Sequence, residues 1–263
     1  MKRILLFTLP LLMLAACNPK SLVETEQLTA QQTIYLTDAH TDSLFLSFEI
    51  EYPTRMPSEE ALALVQTGIV TSLFGERYAN MPLPEAMKAY IDMCRQEYID
   101  NNRALAEQTL ESDEDEEFGM LLCEEQVMTG RVVFADKRIL SYEIEQYVYM
   151  GGAHGMNSRH CYNFCMESGL LLNEDDLFAE GYQEPLSELL RTALVEQSEE
   201  FDSADALTAA GFDLENVHPN GNFSFSEDGI TWVFTPYEIA PYVYGETEIF
   251  LDNSRLEKLK KKE

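Results

Sequence analysis

Positive charge is scarce in this sequence: 18 lysines and arginines stand against 47 aspartates and glutamates, a formal charge of -29 over 263 residues. Nucleic acid is bound by clustered Lys and Arg that displace counterions from phosphates, so this balance excludes it as a partner and disfavours anionic lipid headgroups. Enzyme signatures are missing as well. There is no G-x-S-x-G, H-E-x-x-H, P-loop or Rossmann glycine pattern, which removes the sequence marks of the common hydrolases, NTPases and dehydrogenases. Long apolar runs are absent after the first stretch, Ile4 to Met13, which at ten residues is too short to span a bilayer.

That stretch is nonetheless decisive for where the protein goes. Lys2 and Arg3, the apolar run, and Leu14-Ala15-Ala16-Cys17 make residues 1–17 a lipoprotein signal peptide with its lipobox. Cleavage leaves Cys17 as the first residue, acylated and held in a membrane at about 0.8 kcal/mol per buried methylene. Loss of Lys2 and Arg3 takes the charge from -29 to -31. Asn18 in place of Asp favours the outer membrane, so an exported lipoprotein of the periplasm or cell surface is expected. Residues 18–32 are polar and turn-prone and read as a tether.

The remainder, 45% apolar overall, folds around two modest cores. Leu44, Leu46, Phe48 and Ile50 alternate with Phe45, Ser47, Glu49 and Glu51 as in a half-buried strand. Ser58 caps a helix with Ala61, Leu62, Val65, Ile69 and Leu73 as its apolar stripe, and a second helix runs from Leu83 to about Gln108. Asp113 to Glu117, with Glu124 further on, has the acidity of a calcium loop but places Phe118 where the sharp bend needs glycine, so a solvated hairpin tip is the better reading. Strands follow over 120–135 and 138–149. Later come a helix opened by Glu184-Pro185, a hairpin through Ser226-Glu227-Asp228-Gly229, a strand over 246–251 and a short basic helix over 254–262. The expectation is an α+β fold of antiparallel sheets each packed by helices. It comprises two small domains at 33–135 and 136–263, with the strands ending at Tyr149 and flanking Tyr237 in one sheet.

Two stretches stand out. In the first, Tyr149-Met150-Gly151-Gly152-Ala153-His154 ends a strand in a glycine turn. Ser158 to Met166 then returns with Cys161, Asn163 and Cys165 on one face, and Asn173 caps a short helix before Glu174-Asp175-Asp176. The second is Phe234-Thr235-Pro236-Tyr237-Glu238-Ile239-Ala240-Pro241-Tyr242-Val243-Tyr244-Gly245. Together, in this order, they resemble the domain of unknown function found C-terminally in the anti-sigma factor RsiV and associated with the deacetylase PdaC. The likeness covers about 136–259, and a weaker one to that domain's usual upstream partner covers 33–135. Neither a sigma-binding segment nor a deacetylase domain accompanies them here, so those activities do not carry over. What the resemblance implies is a domain whose loops bind a lysozyme in RsiV.

From the residues themselves, Tyr149, Gly151, Gly152, His154, Tyr237, Tyr242 and Tyr244 form the candidate binding set, since tyrosines on a backbone stiffened by Pro236 and Pro241 offer contact area at low entropic cost. Core packing explains the same tyrosines equally well. His154 and His160 with Cys161 and Cys165 match no familiar zinc spacing, so no metal or other cofactor is expected. Cys161 and Cys165 on one strand lie about 13 Å apart and cannot bridge each other. Oxidation would instead join them to Cys94 or Cys123. Asp175 and Asp176 read as helix caps rather than glycosidase carboxylates. These readings favour a membrane-anchored binding lipoprotein that recognises a cationic protein such as a lysozyme, or another envelope component. The alternative is a cell-wall glycan-processing enzyme or its accessory subunit.

Overall fold

The computed structural model describes residues 22–38, 40, 42–109 and 122–262. Cys17 and the acidic turn Asp113 to Glu117 lie outside the described residues. The first unit contains β1 (Glu24–Ile34), β2 (Ser43–Arg55), α1 (Glu59–Phe74), α2 (Leu83–Thr109), β3 (Cys123–Ala135), β4 (Ile139–Met150), β5 (Met156–Cys165) and β6 (Leu171–Leu172). Its strands form one sheet in the order β1-β2-β3-β4-β5-β6. Neighbours run antiparallel except β2 and β3, which are parallel because α1 and α2 form the crossover between them.

The period-2 alternation of β2 puts Leu44, Leu46, Phe48 and Ile50 under the two helices, where Leu140, Tyr142 and Ile144 of β4 and Phe164 of β5 join them. Ser58 caps α1 as expected, its hydroxyl accepting from the Ala61 amide at 3.1 Å. The helix lies close enough to the sheet that a Cβ on Gly68 would sit 2.6 Å from the Phe164 ring, so only glycine fits there. β1 corrects the expected tether over 18–32. Its Leu28, Ala30 and Ile34 pack against the core and its whole length pairs with β2, a long-range partnership that a polar local sequence does not announce.

The second unit contains α3 (Glu174–Leu177), α4 (Gln183–Gln197), α5 (Ala204–Ala209), β7 (Phe223–Phe225), β8 (Gly229–Phe234), β9 (Thr247–Asp252) and α6 (Asn253–Leu256). Three strands in the order β7-β8-β9 are all antiparallel. Trp232, Phe234, Ile249 and Leu251 pack against Leu186, Leu190 and Phe178. The α+β class therefore holds, as a six-stranded mixed sheet with helices plus a small three-stranded antiparallel sheet. Two details differ from expectation. β4 and β5 complete the first sheet, so the two cores divide after Leu172 rather than at 135/136, and the Tyr149 and Tyr237 stretches lie in different sheets. The final helix also stops at Leu256, because the chain beyond it pairs with 177–179 through Ala179 N–H to Leu259 O (2.8 Å) and Lys261 N–H to Leu177 O (3.0 Å).

The units meet where β7 lies across the back of β3, β4 and β5, through buried polar groups beside a stack of Phe134 on Phe225 (6.4 Å). Ser141 donates to Asn163 Oδ1 (2.6 Å), Asn163 Nδ2 donates to Phe223 O (2.7 Å), and the Phe225 amide donates to Ser141 Oγ (3.2 Å). Asn222 accepts from the Cys161 amide and donates to Arg159 O, each at 2.8 Å. Buried polar groups matched in this way fix the relative placement of two surfaces, since any slip leaves them unsatisfied. The same arrangement corrects the disulfide expectation: Cys94, Cys161 and Cys165 are free thiols, and Cys123 stands too far from Cys161 and Cys165 to bridge either. Cys94 lies on the helix side of the sheet and Cys161 on its back. Cys123 is eight residues along β3 from Arg131, which is level with Glu143 and Cys161 across the strands, a separation of about 26 Å.

Candidate functional site

β4 ends in a turn where Gly151 (φ 77°) and Gly152 (φ 102°) adopt left-handed backbone, and the Tyr149 hydroxyl closes it on Gly152 O at 2.8 Å. The turn delivers His154 onto the ring of Tyr242, with centroids 4.5 Å apart and planes 24° from parallel. Tyr242 comes from the connection between β8 and β9, on the 3-10 turn Tyr242–Tyr244, and its hydroxyl donates to Gly155 O at 2.7 Å. Tyr237 also stacks on Tyr242, with centroids 5.4 Å apart and planes 26° from parallel. A positive φ of 72°, costly for a residue with a Cβ, turns Tyr237 outward so that it is 61% exposed. The two sequence stretches, more than eighty residues apart, therefore build one aromatic row: His154, Tyr242, Tyr237.

Not every member of the expected set belongs to it. Tyr244 packs half-buried against the second core, on Phe212 (5.0 Å) and Phe201 (5.9 Å), and lines a cleft beside the row rather than joining it. Tyr149, Gly151 and Gly152 shape the turn and stay behind the row. Gly155 is required by proximity, because a Cβ there would lie 2.3 Å from the Tyr147 ring.

Beside the row a cleft of about 720 Å³ opens between the back of the first sheet and the β8–β9 connection. Glu145, Asn157 and Arg159 form its floor, with Tyr242, Glu246 and Glu248 along its wall. Arg159 bonds to Glu248 and, at 2.6 Å, to Glu246, with Glu143 3.9 Å away. Arg131 holds Glu143 at 3.0 Å and Glu145 at 2.6 Å. Four carboxylates thus share two guanidiniums, leaving two negative charges uncompensated within the cluster. Burial works to lower Arg159, but the hydrogen-bonded Glu248 and the charges of Glu246, Glu248 and Glu143 outweigh it and hold the guanidinium firmly protonated. Burial pushes the Glu246 carboxyl up. Arg159 opposes that shift, and Glu248 and Glu145 add to it.

Sequence reasoning passed over this cluster. Its only local signal is a pair of i, i+2 acidic repeats, Glu143/Glu145 on one face of β4 and Glu246/Glu248 at the start of β9; Arg159 joins them only through the register of β4 and β5. Among the described residues no group of three or more His, Cys, Asp and Glu side chains is placed to hold a metal ion, and no helix is long and apolar enough to cross a membrane.

Comparison with known proteins matches residues 40–157 to the family described as Deacetylase PdaC and residues 175–254 to the family described as Protein of unknown function (DUF3298). Residues 1–18 match a prokaryotic membrane lipoprotein lipid attachment site. One curated relative, the peptidoglycan-N-acetylmuramic acid deacetylase PdaC of Bacillus subtilis (strain 168), is 27% identical over 135 residues. The match takes in 51% of this chain and only 28% of the relative's length. Among solved structures, a member of the DUF3298 family from Bacteroides fragilis NCTC 9343 superposes with a TM-score of 0.82 at 23% identity, covering 91% of this chain and 94% of the other. A DUF3298 family protein from Pseudomonas aeruginosa PAO1 gives 0.63 at 18% identity, covering 93% and 97%. These structural likenesses establish the fold. The chain is a membrane-anchored lipoprotein that joins a PdaC-type domain to a C-terminal DUF3298 domain, the type found in RsiV.

Proposed function

We propose that the protein is a binding lipoprotein of the cell envelope, with its lipid on Cys17 in the outer membrane, which recognises a cationic extracytoplasmic protein through the cleft at the Tyr242 row. A lysozyme-like muramidase is the first candidate. The observation that carries this reading is the meeting of an outward-facing aromatic row with a cleft whose carboxylates outnumber its guanidiniums. A net charge of -29 in the full sequence attracts a basic protein and speeds encounter. Specificity then comes from desolvated aromatic contact, where a few Tyr or Trp residues carry most of an interface's energy.

Calorimetry of the full lipidated chain in nanodiscs against lysozyme, in low salt and at about 0.15 M where the Debye length is about 8 Å, tests it. Affinity that persists in salt and falls in Tyr237→Ala or Tyr242→Ala supports a specific site. Binding that vanishes in salt leaves only a solvated acidic coat, and absence of binding at either ionic strength overturns the proposal. Anchoring through Cys17 is checked separately, by labelling with a palmitate analogue that marks the wild type and spares Cys17→Ala.

A second reading, an accessory or catalytic part in peptidoglycan processing, is favoured by the match to a relative named as a peptidoglycan deacetylase. Mass changes in peptidoglycan fragments incubated with the purified chain, with and without zinc, would move the assignment to an enzyme.

A further inference from the structure

Each sheet edge in the described residues ends in an identifiable closing device except one. β6 is only two residues long, and the edge of β5 beyond it is occupied by Asn222, which accepts from the Cys161 amide and donates to Arg159 O. β7 spends its outer backbone groups on Asn163 and Ser141 in the seam. β9 is closed by Gln197 of α4, whose side-chain amide accepts from the Phe250 amide (3.0 Å) and donates to Phe250 O (2.6 Å), as a neighbouring strand would. β1 has eleven residues, pairs with β2 on one side, and has no strand on its other side among the described residues. Edge strands are usually guarded by Lys, Pro, a bulge or an inward charge. Here Glu24–Ile34 contains neither Lys nor Pro, and its one irregularity lies at the end, between Glu24 and Thr25.

We propose that this edge pairs, antiparallel, with the β1 strand of a second copy of the chain in the same membrane. The charge pattern selects that occupant. From Gln27 to Ile34 the strand is uncharged, an eight-residue gap in a chain bearing 47 carboxylate side chains, so an identical strand meets no like charge along it. The two acids of β1 lie at its N-terminal end and already have partners: Glu24 with Arg55, and Glu26 with the Tyr52 hydroxyl at 3.3 Å. A two-fold axis through Gln31 sets Leu28 opposite Ile34 and Thr29 opposite Thr33, keeping each residue on its own face. Leu28 and Ile34 already lean on the core beneath the helices, so pairing extends that apolar layer across the dimer. A single strand pair buries less than the roughly 1,600 Å² of a standard interface, which makes the contact weak between free molecules. The lipid attachment site at residues 1–18 supplies the missing concentration by confining every copy to one surface a few residues upstream of β1.

The test uses the full lipidated chain in vesicles of phosphatidylethanolamine and phosphatidylglycerol, with a short thiol-specific crosslinker. Gln31→Cys should give covalent dimer well above the wild type, whose four other thiols control for background. Gln27→Cys should not, since its two copies stand about 27 Å apart in this register. Thr29→Lys with Thr33→Lys, which sets ammonium against ammonium across the axis, should abolish the Gln31→Cys dimer while the circular dichroism spectrum is unchanged. Dimer from Gln31→Cys at or below the wild-type level, or equal yields from Gln31→Cys and Gln27→Cys, overturns the proposal.

Discussion

The two faces of the six-stranded sheet are built on opposite principles. Under the helices it is apolar and alternates strictly, with Leu46, Phe48 and Ile50 of β2 meeting Tyr142 and Phe164. On its back, Ser141, Glu143 and Asn163 are buried and bonded one by one to groups of the second unit or to arginines. Apolar burial is non-directional and proportional to area, so the first face stabilises the fold without dictating exact partners. Polar burial is directional, and an unmatched group costs more than a matched one returns, so the second face contributes placement more than stability. That placement is what brings the β8–β9 connection over β4 and β5 and creates the cleft.

The largest expected effect tests the apolar face. Phe48→Ala removes a ring 1% exposed and should cost about 3–5 kcal/mol in urea unfolding. Asn163→Leu, which leaves the Ser141 hydroxyl proton without its acceptor and the Phe223 carbonyl without its donor, should cost about 1–3 kcal/mol and loosen the second unit from the first, seen as faster amide exchange in β7. If Asn163→Leu proves the more damaging of the two, the polar seam carries stability and the contrast is reversed.

A smaller effect separates neighbours in the β8–β9 connection. Tyr242→Ala should weaken partner binding by roughly 30-fold, about 2 kcal/mol, with a modest change in stability. Tyr244→Ala should do the opposite, because its ring packs on Phe212 and Phe201. Equal effects from both on binding would mean that the loop acts through its fold and not through the row.

The smallest effect reads the back face chemically. Burial and the Glu143 charge push the Cys161 thiol up to about 12, and burial takes Cys94 to about 11, whereas the hydrogen bond from Ser168 holds Cys165 below its usual value. The thiolate is the nucleophile, so iodoacetamide at pH 8 followed by mass spectrometry should label Cys165 first and leave Cys161 and Cys94 nearly untouched. Prompt labelling of Cys161 would show that the seam opens readily.

Local chemistry made much of this fold legible in advance. The alternation of β2, the Ser58 cap, the hairpin through Asp228-Gly229 and the returning face of Cys161, Asn163 and Cys165 all follow from residues within a few positions of one another. The loops that carry the candidate set were legible for the same reason: glycine turns and proline-framed tyrosines mark constrained backbone. Distant pairing was not. Nothing in ETEQLTAQQTI distinguishes an edge strand from a tether until β2 supplies its hydrogen bonds.

The sequence by itself determined the export signal, the acidic balance, the helices, the hairpins and the two motif-bearing loops, because each depends on composition or on interactions over a few residues. Only the tertiary structure decided that His154 stacks on Tyr242, that Tyr244 packs on the second core while Tyr237 turns out, and that Arg159 gathers Glu143, Glu246 and Glu248. Those contacts join residues 16 to 89 positions apart. They are set by strand register and by the buried hydrogen bonds between the two units, since a one-residue slip would turn Glu143, Arg159 and Glu248 to the other face and displace the loops that carry the aromatic row.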